Sequence, residues 1–411
     1  MLAIQAPLVF DGERMLTGGA LVLIDGGKIA GVEPRMTPVP DGCPVHVLDG
    51  MLLPGLIDAH AHLCADARPG ALERLGETDG TGLAAVIEES LRAHLRAGVT
   101  TVRDLGDWRD TVLAWRAGAA RDLPTVVASG TPITSTGGHC WTLGGQAAGE
   151  HALRAAVQQR AGAGADVIKI MASGGVFTPG TDTTRPQFTD AEMAAAVTEA
   201  HALGLPVTAH AHALTAVVQA VRAGVDGIEH CSCVTPAGAR LPGEVAAELA
   251  DAGIAVCATL GSDPSVVVPP EILAMAAAAG ITEAALQAVT AGLHAAGVRI
   301  VAGSDGGLGP AKPHGLLPRT LDEYVRSGIP APAALAAATS TAADACRLTG
   351  RKGRIRPGHD ADLLAVPADP TVDITALLHP QTVYLAGQPV EHLKDAAVPG
   401  CAGPHQPTGQ P

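Results

Sequence analysis

The sequence predicts an α/β chain: a (β/α)8 TIM-like barrel over residues 54–353, with a small β-sandwich domain formed from both chain ends. Three observations predict it. Short apolar runs are followed again and again by Ala-rich helical stretches through the middle of the chain. Both ends instead alternate short apolar runs with turns. Several of the central runs end in histidine or a charged residue, and reactive groups in such barrels stand at the C-terminal ends of strands.

The first part of the small domain is residues 1–53. Ala20–Ile24 and Lys28–Val32 flank Asp25-Gly26-Gly27, which reads as a hairpin turn. The barrel strands are expected at Leu52–Ala59, Thr100–Arg103, Thr125–Ala128, Val167–Met171, Val207–Ala209, Gly227–Glu229, Ile254–Ala258 and Ile300–Ala302, with helices such as Ala191–Ala202 and Leu214–Ala223 between them. Residues 354–396 return to the small domain, with strands at Ala361–Val366 and Thr382–Leu385. The Pro- and Gly-rich segment 397–411 is expected to be a disordered tail.

Composition agrees with this plan. The 411 residues suffice for a barrel of about 250–300 residues and a smaller partner. Hydrophobic residues make up 47% and aromatic ones only 2%, so the core has to be built from Ala, Val, Leu and Ile. The formal charge is −14, and no block of Lys and Arg forms a phosphate-tracking stripe, which argues against nucleic acid as a partner. The 8 cysteines show no spacing of a disulfide framework or zinc knuckle and read as reduced thiols. The N-terminus shows no secretory pattern, and no apolar run reaches the roughly 18–20 residues of a membrane span. A cytoplasmic enzyme without a membrane partner is the expectation. Such barrels often form homo-oligomers, but no stretch of this sequence calls for one.

His60 and His62 end the run Leu-Leu-Pro-Gly-Leu-Ile-Asp-Ala-His-Ala-His. Residues i and i+2 of a strand share a face, so both imidazoles point toward the barrel axis. Lys169 stands inside Asp-Val-Ile-Lys-Ile-Met, where burial disfavours its ammonium form. A neutral amine there can take up carbon dioxide and become a carbamate, a bidentate anion able to bridge two cations. His210 and His212 end Pro-Val-Thr-Ala-His-Ala-His, His230 ends Gly-Ile-Glu-His, and Asp305 ends Ile-Val-Ala-Gly-Ser-Asp. Each is weak alone; in order, on separate strands, they make a metal-ligand set.

These motifs, with Gly-Arg-Ile-Arg-Pro-Gly-His-Asp-Ala-Asp-Leu near the end, resemble the amidohydrolase superfamily over nearly the whole chain. The likeness is to its binuclear members with a carboxylated lysine. Val-Ile-Lys-Ile-Met-Ala-Ser-Gly-Gly-Val, Val-Thr-Ala-His-Ala-His and Gly-Ile-Glu-His look like the branch containing Xaa-Pro dipeptidases, ochratoxin-type amidases and imidazolonepropionase-related proteins. The resemblance implies that His60, His62 and Asp305 hold one divalent cation, His210 and His230 a second, and carboxylated Lys169 bridges them. Zinc suits these donors. His212 then faces the substrate, although it could exchange roles with His210.

The expected reaction is attack of a metal-bridging hydroxide on the amide carbon of a small substrate, an Xaa-Pro-like dipeptide or an N-acyl amino acid, with Asp305 moving the proton. A lactone, cyclic amide or carbamate is the alternative. Mononuclear deaminases of this fold carry a glutamate three residues after the histidine of the fifth strand. Here that position is Ala213, or Thr215 counted from His212, which argues against deamination. The filled ligand positions argue against a non-catalytic scaffold. Further substrate contacts are expected from His139 in its Gly-rich loop, Gly174 and Gly175 after the lysine, Arg185 as a carboxylate fork, and His314; catalytic roles fall to Asp305, His139 and His212. The remaining histidines read as ordinary core or surface residues.

Overall fold

The computed structural model describes residues 1–118, 122–268, 270–278 and 281–390. The expected tail at 397–411, and the last residues of the 354–396 segment, lie outside them.

The chain is α/β, and its two ends share a sheet. Met51–Pro54 pairs antiparallel with Leu363–Val366, Leu53 opposite Leu364, and the sheet extends from there through Thr382–Leu385 to Gln388–Pro389. A second sheet orders Lys28–Pro34, Ala20–Asp25, Leu2–Ala6 and Val45–Val47. Residues of both sheets, among them Ile4, Val22, Ile29, Leu52, Leu363 and Tyr384, form one buried apolar cluster. Alternation along Leu2–Ala6 puts Leu2, Ile4 and Ala6 on one face, and a register shift in Lys28–Pro34 opposite Leu23 and Ile24 lets Ile29 and Val32, three residues apart, both reach it.

The middle of the chain makes parallel sheets. Leu56–Ala61, Val99–Asp104 and Thr125–Ala128 pair in order. Ile168–Met171, Val207–Ala213, Gly227–Thr235, Ala255–Cys257 and Arg299–Val301 form the second array, again with parallel neighbours. Two isolated parallel bridges link the arrays, Ile133 with Ile170 on one side and Ala61 with Gly306 on the other. Helices intervene, and several of their ends are capped. Asp79 caps Gly80–Arg96 by accepting the Gly82 N–H at 2.7 Å. Thr189 and Glu192 form a reciprocal capping box on Asp190–Ala202. Gly224, at φ 79°, ends Leu214–Ala223.

One expected strand divides. The run 52–59 is two elements, Met51–Pro54 in the chain-end sheet and Leu56–Ala61 in the parallel array. Pro54 has no N–H to continue a ladder. At Gly55 a Cβ would lie 2.2 Å from Thr100 Oγ1, so only glycine fits the crossing. The break turns an apolar run into the joint between the two sheet systems and sets the direction of the strand that carries His60.

Candidate metal centre

All the strands that bear candidate ligands run parallel, so their C-terminal ends share one face. His60 lies within Leu56–Ala61 and His62 directly after it; Lys169 lies in Ile168–Met171, His210 and His212 in Val207–Ala213, and His230 in Gly227–Thr235. Asp305 follows Arg299–Val301 on a loop whose N–H donates to His60 O at 2.8 Å. His230 and Asp305 adopt φ values of 66° and 59°. Left-handed backbone in a residue with a Cβ costs about 1–3 kcal/mol and persists where surroundings enforce it, commonly at functional sites.

The donors gather into two groups. The ligand atoms of His60, His62 and Asp305 lie within 4.8 Å of one another, and so do those of His210, His212 and His230. The groups adjoin, with the His60 and His230 rings 5.2 Å apart between centroids. The second group takes in both histidines of the His-Ala-His pair: the His212 ring stacks on His230 at 4.8 Å, and the His210 ring meets His230 edge-on at 4.6 Å. Lys169 is 2% exposed and lines the same cavity, of about 620 Å³.

Electrostatics suit cations. Burial pushes His60 and His212 down to about 4 and takes His210 and His230 well below the usual imidazole range, so these rings are neutral and keep a free lone pair. Burial also lowers Lys169, only partly countered by Glu229 and Asp305. For Asp305 burial acts upward, but the hydrogen bond from His62 and the charges of His60, His62 and Lys312 outweigh it and hold the carboxyl far down. Neutral imidazoles, an anionic carboxylate and an amine whose charged form burial disfavours make a donor set that fits divalent metal ions.

A network below the donors fixes their orientation, and it was not read from the sequence. Glu229 Oε2 is 2.8 Å from His60 Nδ1, which turns Nε2 toward the cavity. Its other oxygen accepts from Arg103 Nη2 at 3.0 Å and Thr208 Oγ1 at 2.5 Å. Burial raises Glu229, but Arg103, His60 and Lys169 together outweigh it and keep the carboxylate ionised. Asp58 accepts from the N–H and hydroxyl of Ser304, at 2.9 and 2.6 Å, tying the strand of His60 to the loop of Asp305. His230 Nδ1 meets Thr259 Oγ1 at 2.8 Å, and His62 Nδ1 donates to Gly106 O at 3.0 Å. A carboxylate inside the apolar strand Gly227–Thr235 is as conspicuous as the lysine in its own, so Glu229 had a signal in the sequence. The i+2 rule concealed it, because His230 follows immediately and turns inward only through its positive φ.

The expected substrate contacts divide. His139 lines the cavity, 4.6 Å from the His210 ring between centroids. Burial pushes it down to about 3. Thr178 Oγ1 accepts the Cys140 N–H at 2.9 Å and lies 3.0 Å from His139 Nδ1. Cys140 Sγ lies 3.5 Å from Nε2, and the ring carries its proton on Nε2 when the Thr178 hydroxyl donates to Nδ1. Gly175 lies against that ring, since a Cβ there would come within 2.4 Å of it; a Cβ on Gly174 would strike the Asp182 backbone at 2.5 Å. The two glycines thus serve loop packing under His139.

Two of the expected residues do not line the cavity. Arg185 is 80% exposed in its side chain and pairs with Asp182 at 3.3 Å, outside the cavity wall, because the Thr178–Thr184 turn directs it to solvent. His314 packs behind the site, 3.3 Å from His94 Nε2 and 2.8 Å from Ala65 O, where Gly307 lets it approach the His62 backbone. His94, read as ordinary from the sequence, is fully buried between His314 and Asp58.

These shifts set the acid sensitivity of the metal-free protein. His60, His94, His139, His210, His212, His230 and His314 all titrate below the usual imidazole range in the folded state. The unfolded chain therefore binds more protons, and stability is lost as pH falls below about 6.5, by about 1.4 kcal/mol per pH unit for each such histidine. Asp58 and Asp107, raised to about 6 and about 7 by burial, Asp104, raised by burial, and His62, lifted by Asp305 against the effect of burial, act with the opposite sign but are fewer. Urea midpoints of chelator-treated protein should fall steeply from pH 7 to pH 5; a flat profile would contradict this burial pattern.

Comparison with known proteins agrees with the geometry. Residues 51–390 match the model of the amidohydrolase family. Ochratoxinase of Aspergillus niger is 28% identical over 377 residues, covering 81% of this chain and 73% of that protein; its crystal structure superposes with a TM-score of 0.80 at 25% identity, over 94% and 95% of the two chains. A Xaa-Pro dipeptidase crystallised with methionine in its active site gives a TM-score of 0.82 at 26% identity, over 95% of this chain and 99% of the other. A prolidase in complex with N-methylphosphonate-L-proline gives 0.81 at 28%, with the same coverage.

Proposed function

Because this chain belongs to the amidohydrolase family and is a hydrolase of carbon–nitrogen bonds, we propose that it cleaves the amide bond of a small dipeptide or N-acyl amino acid at a two-metal centre in a (β/α)8 barrel. The barrel reading rests on the two parallel arrays and the bridges at both seams between them. The observation that carries the metal reading is the pair of adjoining donor groups with a buried lysine beside them.

In this reading His60, His62 and Asp305 would hold one cation, His210 and His230 the other, and Lys169, as its carbamate, would supply an anionic donor to the pair. Zinc is the metal proposed for the imidazole and carboxylate donors. Two divalent cations, when bound, supply a water-derived nucleophile at neutral pH and polarise the amide carbonyl. The chain's own groups do the rest. Asp305, anionic through its contacts with His60 and His62 at 3.4 and 3.2 Å, takes the proton of the attacking water and hands it to the departing amine. His139, neutral with its proton on Nε2, donates to the substrate carbonyl oxygen. His212, held through Nδ1 by Ser232 at 2.9 Å, orients the substrate beside it.

Metal analysis joined to a hydrolysis panel of N-acyl amino acids and Xaa-Pro dipeptides tests the reading. Two equivalents of metal, activity lost to a chelator and regained with zinc are the expected results. Full activity in metal-free protein would overturn it.

A further inference from the structure

One wall of the cavity is the helix Leu317–Arg326, whose residues Arg319, Asp322, Glu323 and Arg326 stand at i, i+3, i+4 and i+7 and line it together. The acidic pair would ordinarily partner Arg319. Instead Arg326 takes it, at 2.9 Å from Asp322 and 3.8 Å from Glu323, and Gln287 Nε2 donates to Glu323 at 3.0 Å. Among the described residues, Arg319 has neither an ion pair nor a side-chain hydrogen bond. It also lies in the first turn of its helix, where the macrodipole disfavours a cation. Of the other cationic side chains on the wall, Lys169 belongs to the proposed metal bridge, and Lys312 Nζ donates to Thr259 O and Ser304 O, at 2.7 and 3.1 Å.

The position of Arg319 relative to the metal donors is fixed by a three-residue segment. Thr259 holds His230 through its hydroxyl. Leu260 O accepts from Thr320 Oγ1 at 2.8 Å. Gly261 lies against the Arg319–Thr320 backbone, where a Cβ would come within 3.2 Å of Thr320 Cα. The segment Thr259–Gly261 therefore spans from a metal donor to the base of an unpaired guanidinium on the same cavity wall. A guanidinium offers a planar fork that matches a carboxylate.

We infer that Arg319 anchors the carboxylate of the substrate and makes the enzyme selective for anionic amides over neutral ones. This rests on the amide-hydrolase reading, and the experiment separates the two. N-benzoyl-L-phenylalanine and N-benzoylphenethylamine differ only in the carboxylate, as do the unreactive products L-phenylalanine and phenethylamine. The wild-type enzyme is expected to favour the acid about 10- to 100-fold in kcat/KM, the range of a charge-assisted pair. Arg319→Met should erase that preference through KM, with kcat on the acid nearly unchanged, and Arg319→Lys should keep part of it. Calorimetric titration should show L-phenylalanine binding weakened by Arg319→Met, with a thermal midpoint equal to that of the wild type.

Equal cleavage of acid and amine analogue by the wild type, or an equal loss on both in Arg319→Met, overturns the anchor and leaves the hydrolase reading standing. Arg319-dependent binding of L-phenylalanine without cleavage of either amide keeps the anchor and removes the reaction. Absence of both binding and cleavage overturns the anchor.

Discussion

Lys169→Met is expected to lower kcat/KM on any amide the enzyme cleaves by about 10³-fold, the rate equivalent of several kcal/mol of metal-centred stabilisation, while the thermal midpoint stays level or rises. The two effects have different sources. Met fills nearly the space of the lysine stem, so the core of the strand Ile168–Met171 stays packed. It also removes an amine whose charged form burial disfavours. What would be lost is the proposed carbamate of Lys169, so metal content should drop below the two equivalents proposed for the wild type. Activity and metal analysis on one preparation check the result. A variant with two metals and near-normal turnover would show that Lys169 is merely a buried structural amine.

Glu229→Ala is expected to damage both stability and metal binding. It leaves Arg103, with 7% of its side chain exposed, without its carboxylate partner. Breaking a buried pair in this way costs about 3–5 kcal/mol. It also frees His60 Nδ1, and removal of such an orienting carboxylate lowers metal affinity by about 10- to 100-fold. Glu229→Gln should retain most of the stability, since its amide oxygen can still accept from Arg103 and Thr208, yet it cannot supply the negative charge that steadies the His60 N–H. Urea midpoints and metal titrations of both variants therefore separate the structural share from the orienting share. Unchanged metal affinity in both would show that His60 needs no support from below.

The contrast between Lys169 and Glu229 shows how far local pattern reaches. Both are ionisable residues inside apolar strands, and both are buried. Lys169 could be singled out because nothing next to it in sequence competes for attention. Glu229 precedes His230, and strict alternation assigns the pair to opposite faces; the φ of 66° at His230 breaks that rule. The partner of Glu229 is 169 residues away, at His60. Arg185 and Arg319 illustrate the same limit from the other side. Each is an arginine near a candidate site, and composition does not say which one faces the cavity.

The sequence by itself determined which residues lie on or directly after the parallel strands. Period-two alternation and the apolar runs are local properties, and they placed the pairs His60/His62 and His210/His212 each on one face and Lys169 inside its strand; His230 and Asp305 reach the same face through left-handed backbone. The tertiary structure decided what holds those residues and what surrounds them. Asp58 with Ser304, Glu229 with Arg103, and Thr259 between His230 and the Leu317–Arg326 helix are contacts across long separations. They depend on where separate strands and loops meet in space, and no local period encodes that.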